Sequence, residues 1–300
     1  MTTRAWRSEG LRWTAEGPLL RWAGGRESAL PRGKRVVLAV PGDAVRRCVG
    51  ARGNPCPAAA GVPGRSASAR CEECSRLERA HSVAADTRAD DPQPYHVYLA
   101  WFGPGMTKVG ITAVRRGPAR LLEQGAVVFT WLGRGPLMAA RRTEELLRAA
   151  LRVPDRIPYD AKRAVRAVLP ASPGERAAEV AALHARASEL AGWPEALERE
   201  PPVPVDHAAV FGLDGLPAAR GTVRELVPGG AVEGRLLAAA GPDLHLDTGR
   251  GVVVLDTRLL PGWPLTGAGG GAGTGGDGAG VPLPLRAPAR GAATDQPGLF

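Results

Sequence analysis

YHVYLAWFGPGMTKVGITAVRRGPARLLEQGAVVFTWLGRGPLMAARRTEELLRAAL, residues 95–151, is the stretch from which the fold is read. Two apolar runs, Val97–Phe102 and Lys108–Thr112, flank Gly103, Pro104 and Gly105, the pattern of a β-hairpin with a loop longer than the tight two-residue kind. Pro118 opens a short helix with Leu121 and Leu122 on its apolar side, and Gly125 stops it. Val127–Leu132 reads as a third strand. Pro136 then opens a second helix, with Leu137, Met138, Leu146, Leu147 and Leu151 available for burial. The order is strand, strand, helix, strand, helix.

VYL (97–99) and KVGIT (108–112), followed by Arg120 and Glu144, resemble a GIY-YIG nuclease domain. KVGIT followed by RLLEQGA (120–126) is more closely similar to the bacterial family called domain of unknown function 2797, whose members carry an upstream cysteine cluster. The nuclease resemblance implies a hairpin tyrosine near the nucleophile, a helical arginine on the scissile phosphate and a helical glutamate holding a divalent metal. Those roles fall on Tyr98, Arg120 and Glu144, with Mg²⁺ as the expected ion. Two positions depart from the nucleases. Lys108 stands where the second motif has tyrosine, and Gln124 stands where histidine is frequent. Glutamine is no general base. Lys108 serves as one only if burial or nearby cations lower its pKa, and otherwise binds phosphate as a point charge. Residue by residue, plainer roles compete: a packing tyrosine on a strand, and a Glu144–Arg148 helix pair.

Charge placement narrows the partner class. Residues 95–170 carry 13 basic and 5 acidic side chains, and residues 1–94 carry 16 and 10, whereas the rest of the chain is slightly acidic. A basic excess around a phosphate-type site predicts nucleic acid, DNA first, with Arg115, Arg116, Arg141 and Arg142 as candidate contacts. The competing explanation is a composition bias toward arginine that leaves solvated faces.

All four cysteines, Cys48, Cys56, Cys71 and Cys74, fall within 27 residues as C-x7-C-x14-C-x2-C. The surrounding Ala, Gly, Pro, Arg and Ser offer little core, so a structural zinc is the expected source of order. His81 is a reserve ligand; a redox pair or buried thiols are the alternatives. Upstream, Leu19–Trp22 and Val36–Val40 read as strands of a small sheet with Trp13 and Trp22 in its core. DTRADDPQP (86–94) reads as a linker.

Beyond the central stretch, Asp160–Leu169 reads as a helix with Lys162, Arg163 and Arg166 on a polar side. Ser172-Pro-Gly-Glu175 is a capping box opening a helix in which Val180, Leu183, Ala187 and Leu190 share a face, and His184 is structural. After PPVPV (201–205), short apolar runs and glycine turns predict a small antiparallel β unit, with His245 and Asp247 on one strand face. Thr266–Gly280 reads as a flexible linker and the following proline-rich segment as unfolded. The terminal Gln296-Pro-Gly-Leu299-Phe300 resembles the peptide by which bacterial repair and replication proteins dock on the polymerase sliding clamp, implying contacts through Gln296, Leu299 and Phe300.

The expected architecture is therefore α+β. Residues 1–94 form an N-terminal β segment with a four-cysteine zinc module, and 95–170 a GIY-YIG-like small sheet with flanking helices. A helix follows over 171–200, then a small antiparallel β domain over 201–265, then a disordered tail over 266–300. No apolar run spans a membrane and no secretory signal is present, which predicts a cytoplasmic protein. Three functions fit this pattern: a Mg²⁺-dependent endonuclease, a catalytically silent nucleic-acid-binding adaptor, or a protein-interaction module tethered to the clamp.

Overall fold

The computed structural model describes residues 5–80, 91–267 and 281–287. His81, most of the 86–94 linker and the candidate docking residues Gln296, Leu299 and Phe300 lie outside the described residues. The chain runs β1 (Trp6–Thr14), β2 (Gly17–Trp22), β3 (Glu27–Ala29), β4 (Arg35–Ala39), α1 (Glu72–Arg79), β5 (Tyr95–Trp101), β6 (Thr107–Ala113), α2 (Ala119–Gln124), β7 (Val128–Gly135) and α3 (Leu137–Leu151). It continues through α4 (Tyr159–Val165), α5 (Pro173–Ser188), β8 (Glu198–Arg199), β9 (Val205–Asp206), α6 (Ala208–Phe211), β10 (Ala219–Val223) and β11 (Gly230–Ala240). The last strands are β12 (Asp243–Asp247), β13 (Val252–Asp256), β14 (Pro264–Leu265), β15 (Val281–Pro282) and β16 (Leu285–Arg286). Among the described residues no helix is long and apolar enough to cross a membrane.

Three sheets carry these strands. The central one has the order β6-β5-β7-β8, with β9 also on β7, all antiparallel. Both faces of β5 are covered. Val97, Leu99 and Trp101 join the main core with Leu137 and Leu147 of α3 and Val180 and Leu183 of α5. Tyr98, Ala100 and Phe102 pack on the opposite face with Leu121 of α2 and Phe129. Alternating side chains on a strand therefore serve two cores. The capping box forms as read: the Ser172 hydroxyl accepts from the Glu175 amide.

The other two sheets join residues far apart in sequence. β1, β2 and β3 form a meander, but β1 also pairs with β14. β4 leaves that meander and pairs antiparallel with β11, so the Val36–Val40 run does not share a sheet with Leu19–Trp22. The C-terminal unit is not purely antiparallel, as its alternating pattern predicts. Its seven-stranded sheet is mixed, with β10 parallel to β13 and β15 parallel to β11. Burial of β12 and β13 on both faces is what the apolar VVVLD run reflects.

Two glycines lock the central sheet to this C-terminal unit. Gly125 caps α2 in the left-handed region (φ 70°), and Gly241 turns β11 into β12 (φ 61°). A Cβ on either would lie 3.0–3.1 Å from the other's amide nitrogen. The QGA motif thus marks a backbone-to-backbone contact as well as a helix stop. Trp13 donates from Nε1 to the Gly241 carbonyl (2.8 Å), which fixes the meander to the same turn.

Candidate metal site and candidate phosphate site

The four cysteines come together. Their Sγ atoms all lie within 4.8 Å of one another, and they could hold a metal ion such as zinc. Cys71 caps α1 and Cys74 lies in its first turn, so the C-x2-C spacing places both on one helix end. The Cys48 sulfur accepts from the amides of Gly50 (3.3 Å) and Cys71 (3.2 Å), the pattern that stabilises a metal-bound thiolate. Gly50 has no room for a side chain, because a Cβ would meet the Asn54 carbonyl oxygen at 1.9 Å. Burial and the three neighbouring thiols push Cys74 up to about 12, whereas an amide at Ala60 helps to pull Cys56 down to about 7. A divalent cation is the natural counter-charge for such a crowded set. Only Ala51 and Val62 join the cysteines in the local core.

One side chain ties this module to the rest. Arg46 is buried, and its guanidinium donates to the carbonyls of Pro63, Ser66, Pro261 and Arg258 at 2.7–3.3 Å. Burial lowers its pKa to about 10.

The second site is built on the β5–β6 register, which sets Tyr98 opposite Gly110 and Ala100 opposite Lys108. Cross-strand partners share a face, so Tyr98, Gly110 and Lys108 point to the side that α2 covers. A Cβ on residue 110 would lie 2.4 Å from the Tyr98 hydroxyl. The glycine of KVGIT is the space that the tyrosine ring occupies. Gly110→Ala should therefore expel the ring and cost about 1–3 kcal/mol, read as a lowered midpoint in urea denaturation. An unchanged midpoint would count against this packing.

Around that ring the expected groups gather. Gln124 donates to the Tyr98 hydroxyl (2.8 Å), and Lys108 holds its ammonium 5.5 Å from the ring centre while donating to the Asp155 carbonyl (3.1 Å). Arg120, exposed on α2, and Glu144, half-buried on α3, both act electrostatically on Tyr98 and on Lys108. Burial, and then Arg120, lower Lys108 to about 8. Burial raises both Tyr98 and Glu144, with Asp155 adding to the rise at Glu144. The lysine thus meets the condition under which it can exchange a proton near neutral pH.

The outer arginines divide. Arg141 acts on Glu144 and belongs to the site. Arg115 donates to Gln93 (2.6 Å), Arg116 pairs with Glu123 (2.7 Å), and Arg142 is exposed on α3.

The polar side expected for α4 is buried. Lys162 is 4% exposed and Arg166 2%, and Arg163 and Arg166 clasp Asp243 of β12 at 2.5–2.6 Å. Arg163 also reaches Asp256 of β13 (2.7 Å). His245 and Asp247 do not form a pair. His245 is buried beside Arg166 (3.3 Å), while Asp247 is exposed and accepts from the Gly249 amide. His184 is structural as read, held to the Glu200 carbonyl (3.0 Å).

Lys162 is the residue that the sequence reading missed. Its ammonium donates to the Gln124 carbonyl (3.0 Å), lies 3.8 Å from the Phe102 ring centre, and has no carboxylate partner among the described residues. Burial, then Lys108 and Arg166, lower it to about 7. A signal was present. The chain has 36 arginines and three lysines, and two of the three stand at this site.

A family model described as protein of unknown function, DUF2797, matches residues 33–265. The chain belongs to the DUF2797 family. In this DUF2797 protein the match takes in the cysteine module, the central sheet and most of the C-terminal sheet. Neither the curated proteins nor the solved structures include a match to it.

Proposed function

We propose that this DUF2797 protein processes nucleic acid, with a GIY-YIG-like phosphodiesterase site formed by Tyr98, Lys108, Arg120 and Glu144. One observation carries the reading: side chains from β5, β6, α2 and α3, scattered over 47 residues, act on one another in a single basin. Arg120, exposed beside a buried tyrosine, is placed to neutralise a phosphoryl oxygen. Lys108 is the proton acceptor or phosphate anchor. Glu144 would hold Mg²⁺, and its neighbour Asp155 gives the donor set the negative charge that a divalent ion relieves. When bound, that ion supplies charge neutralisation at the phosphate. The four cysteines hold zinc in a structural role, since four protein thiolates leave no open coordination position.

The test is cleavage of branched and nicked DNA with and without Mg²⁺. Wild type should cut, and Glu144→Ala should lose at least about two orders of magnitude in rate. A second reading, a binding adaptor without cleavage, draws support from Gln124, which gives its amide to Tyr98 where a base would be needed. Binding without cutting by wild type would favour the adaptor.

A further inference from the structure

Two open clefts flank the candidate site. One, of about 710 Å³, lies between α4, the β10 end and the β16 segment, and includes Arg65, Tyr159, Arg224, Arg258 and Arg286 in its walls. The other, of about 970 Å³, runs between the cysteine module, the β1–β2 hairpin and the β11–β12 turn, and reaches Glu123 of α2. They share Ala67, Tyr159 and Arg258, and so form one continuous channel. Its second arm ends beside the helix that carries Arg120, whose charge also acts on Tyr159 at the junction.

The charges on the walls are not equivalent. Arg163, Arg258 and Arg286 already face Asp160 or Asp256. Arg65 and Arg224 are exposed and have no carboxylate partner among the described residues. They sit on opposite sides of the cleft, one on the cysteine module and one after β10, where an anion between them would meet both. At the junction the Arg258 guanidinium lies 4.1 Å from the Tyr159 ring centre, a flat cationic surface at the meeting point of the two arms.

We infer that this channel carries a single nucleic-acid strand to the candidate site, with Arg65 and Arg224 binding its phosphates. This inference rests on the phosphodiesterase reading above and names its substrate class: a chain end, flap or gap rather than intact duplex. A narrow basic trough with a planar cation in its floor fits one backbone laid along it, and has no room for both strands of a duplex. It also gives the cysteine module a task, as one wall of the trough.

Fluorescence anisotropy on the full chain tests it, using a short labelled single-stranded DNA oligonucleotide and its blunt duplex at several salt concentrations. Wild type should prefer the single strand. Arg65→Ala/Arg224→Ala should weaken that binding about tenfold and reduce the slope of log affinity against log salt by about 1.4, two contacts at the single-strand value. Both residues are exposed, so thermal unfolding of the double variant should match wild type. Equal affinity in wild type and variant, no preference for the single strand, or no binding at all would each overturn the channel. The two readings fail separately. A wild type that cuts while the double variant binds normally removes the channel alone, and channel-dependent binding without cutting removes the nuclease alone.

Discussion

Cys74→Ala should leave the purified protein with less than about half an equivalent of zinc, against about one in wild type, and should expose residues 42–80 to limited proteolysis. Structural zinc contributes an apparent 10–16 kcal/mol or so in zinc-finger peptides, and little else orders this segment. Its local core is four cysteines with Ala51 and Val62, and its regular structure is α1 and isolated bridges. Cys74 is the most buried of the four ligands. The expected damage is local first: loss of the module frees Arg46 from Pro63 and Ser66 and removes one wall of the channel, while the central sheet keeps its own core. Undiminished metal, or a segment as protease-resistant as before, would exclude a metal staple at these residues.

Asp243→Asn should destabilise the fold by about 3–5 kcal/mol, measured by urea denaturation at pH 7. Asp243 is fully buried between two guanidinia. Arg163 would retain Asp160 and Asp256, but Arg166 would be left with the Ala240 carbonyl and a neutral imidazole. The same cluster makes the protein sensitive to acid. Arg166 only donates, so His245 accepts at Nε2; burial, then Arg166, hold the ring down to about 3. Below the ordinary imidazole value of about 6.5 the unfolded chain takes up a proton that the folded one refuses, so stability falls as pH drops from about 6.5 toward 3. Asp243 acts in the same direction. Although burial alone would raise it, Arg166 and Arg163 hold its carboxyl below the usual value, so its contribution is full above that value and is lost on further acidification. His245→Gln should flatten the upper part of this dependence. A denaturation midpoint that does not move between about pH 6.5 and 4 would refute the neutral buried histidine.

What the sequence reveals here is local, and what it hides is long-range. The elements from β5 to α3 follow from apolar period, Pro118 and Pro136 at helix starts, and Gly125 at a helix end, all signals within a few residues of the feature they mark. The convergence of Cys48, Cys56, Cys71 and Cys74 is legible for the same reason. The basic face of α4 is misread because its partners, Asp243 and Asp256, lie about 80 to 93 residues downstream and no spacing announces them. Lys162 escapes likewise: a lysine among arginines reads as solvated until a ring and a carbonyl are found over it. Strand runs in the C-terminal unit were legible, yet their partners were not. An apolar run such as VVVLD fits a strand buried on both faces in either orientation.

The pairing of β4 with β11 has a consequence for the chain as it is made. Arg35 and its partner Glu233 are separated by 198 residues. At about 5–20 residues per second, the ribosome presents β4 some 10–40 s before β11 exists. Through that interval Val36 and Leu38 stay bare, a window in which a nascent-chain chaperone, or a neighbouring chain on the same message, has first access to them.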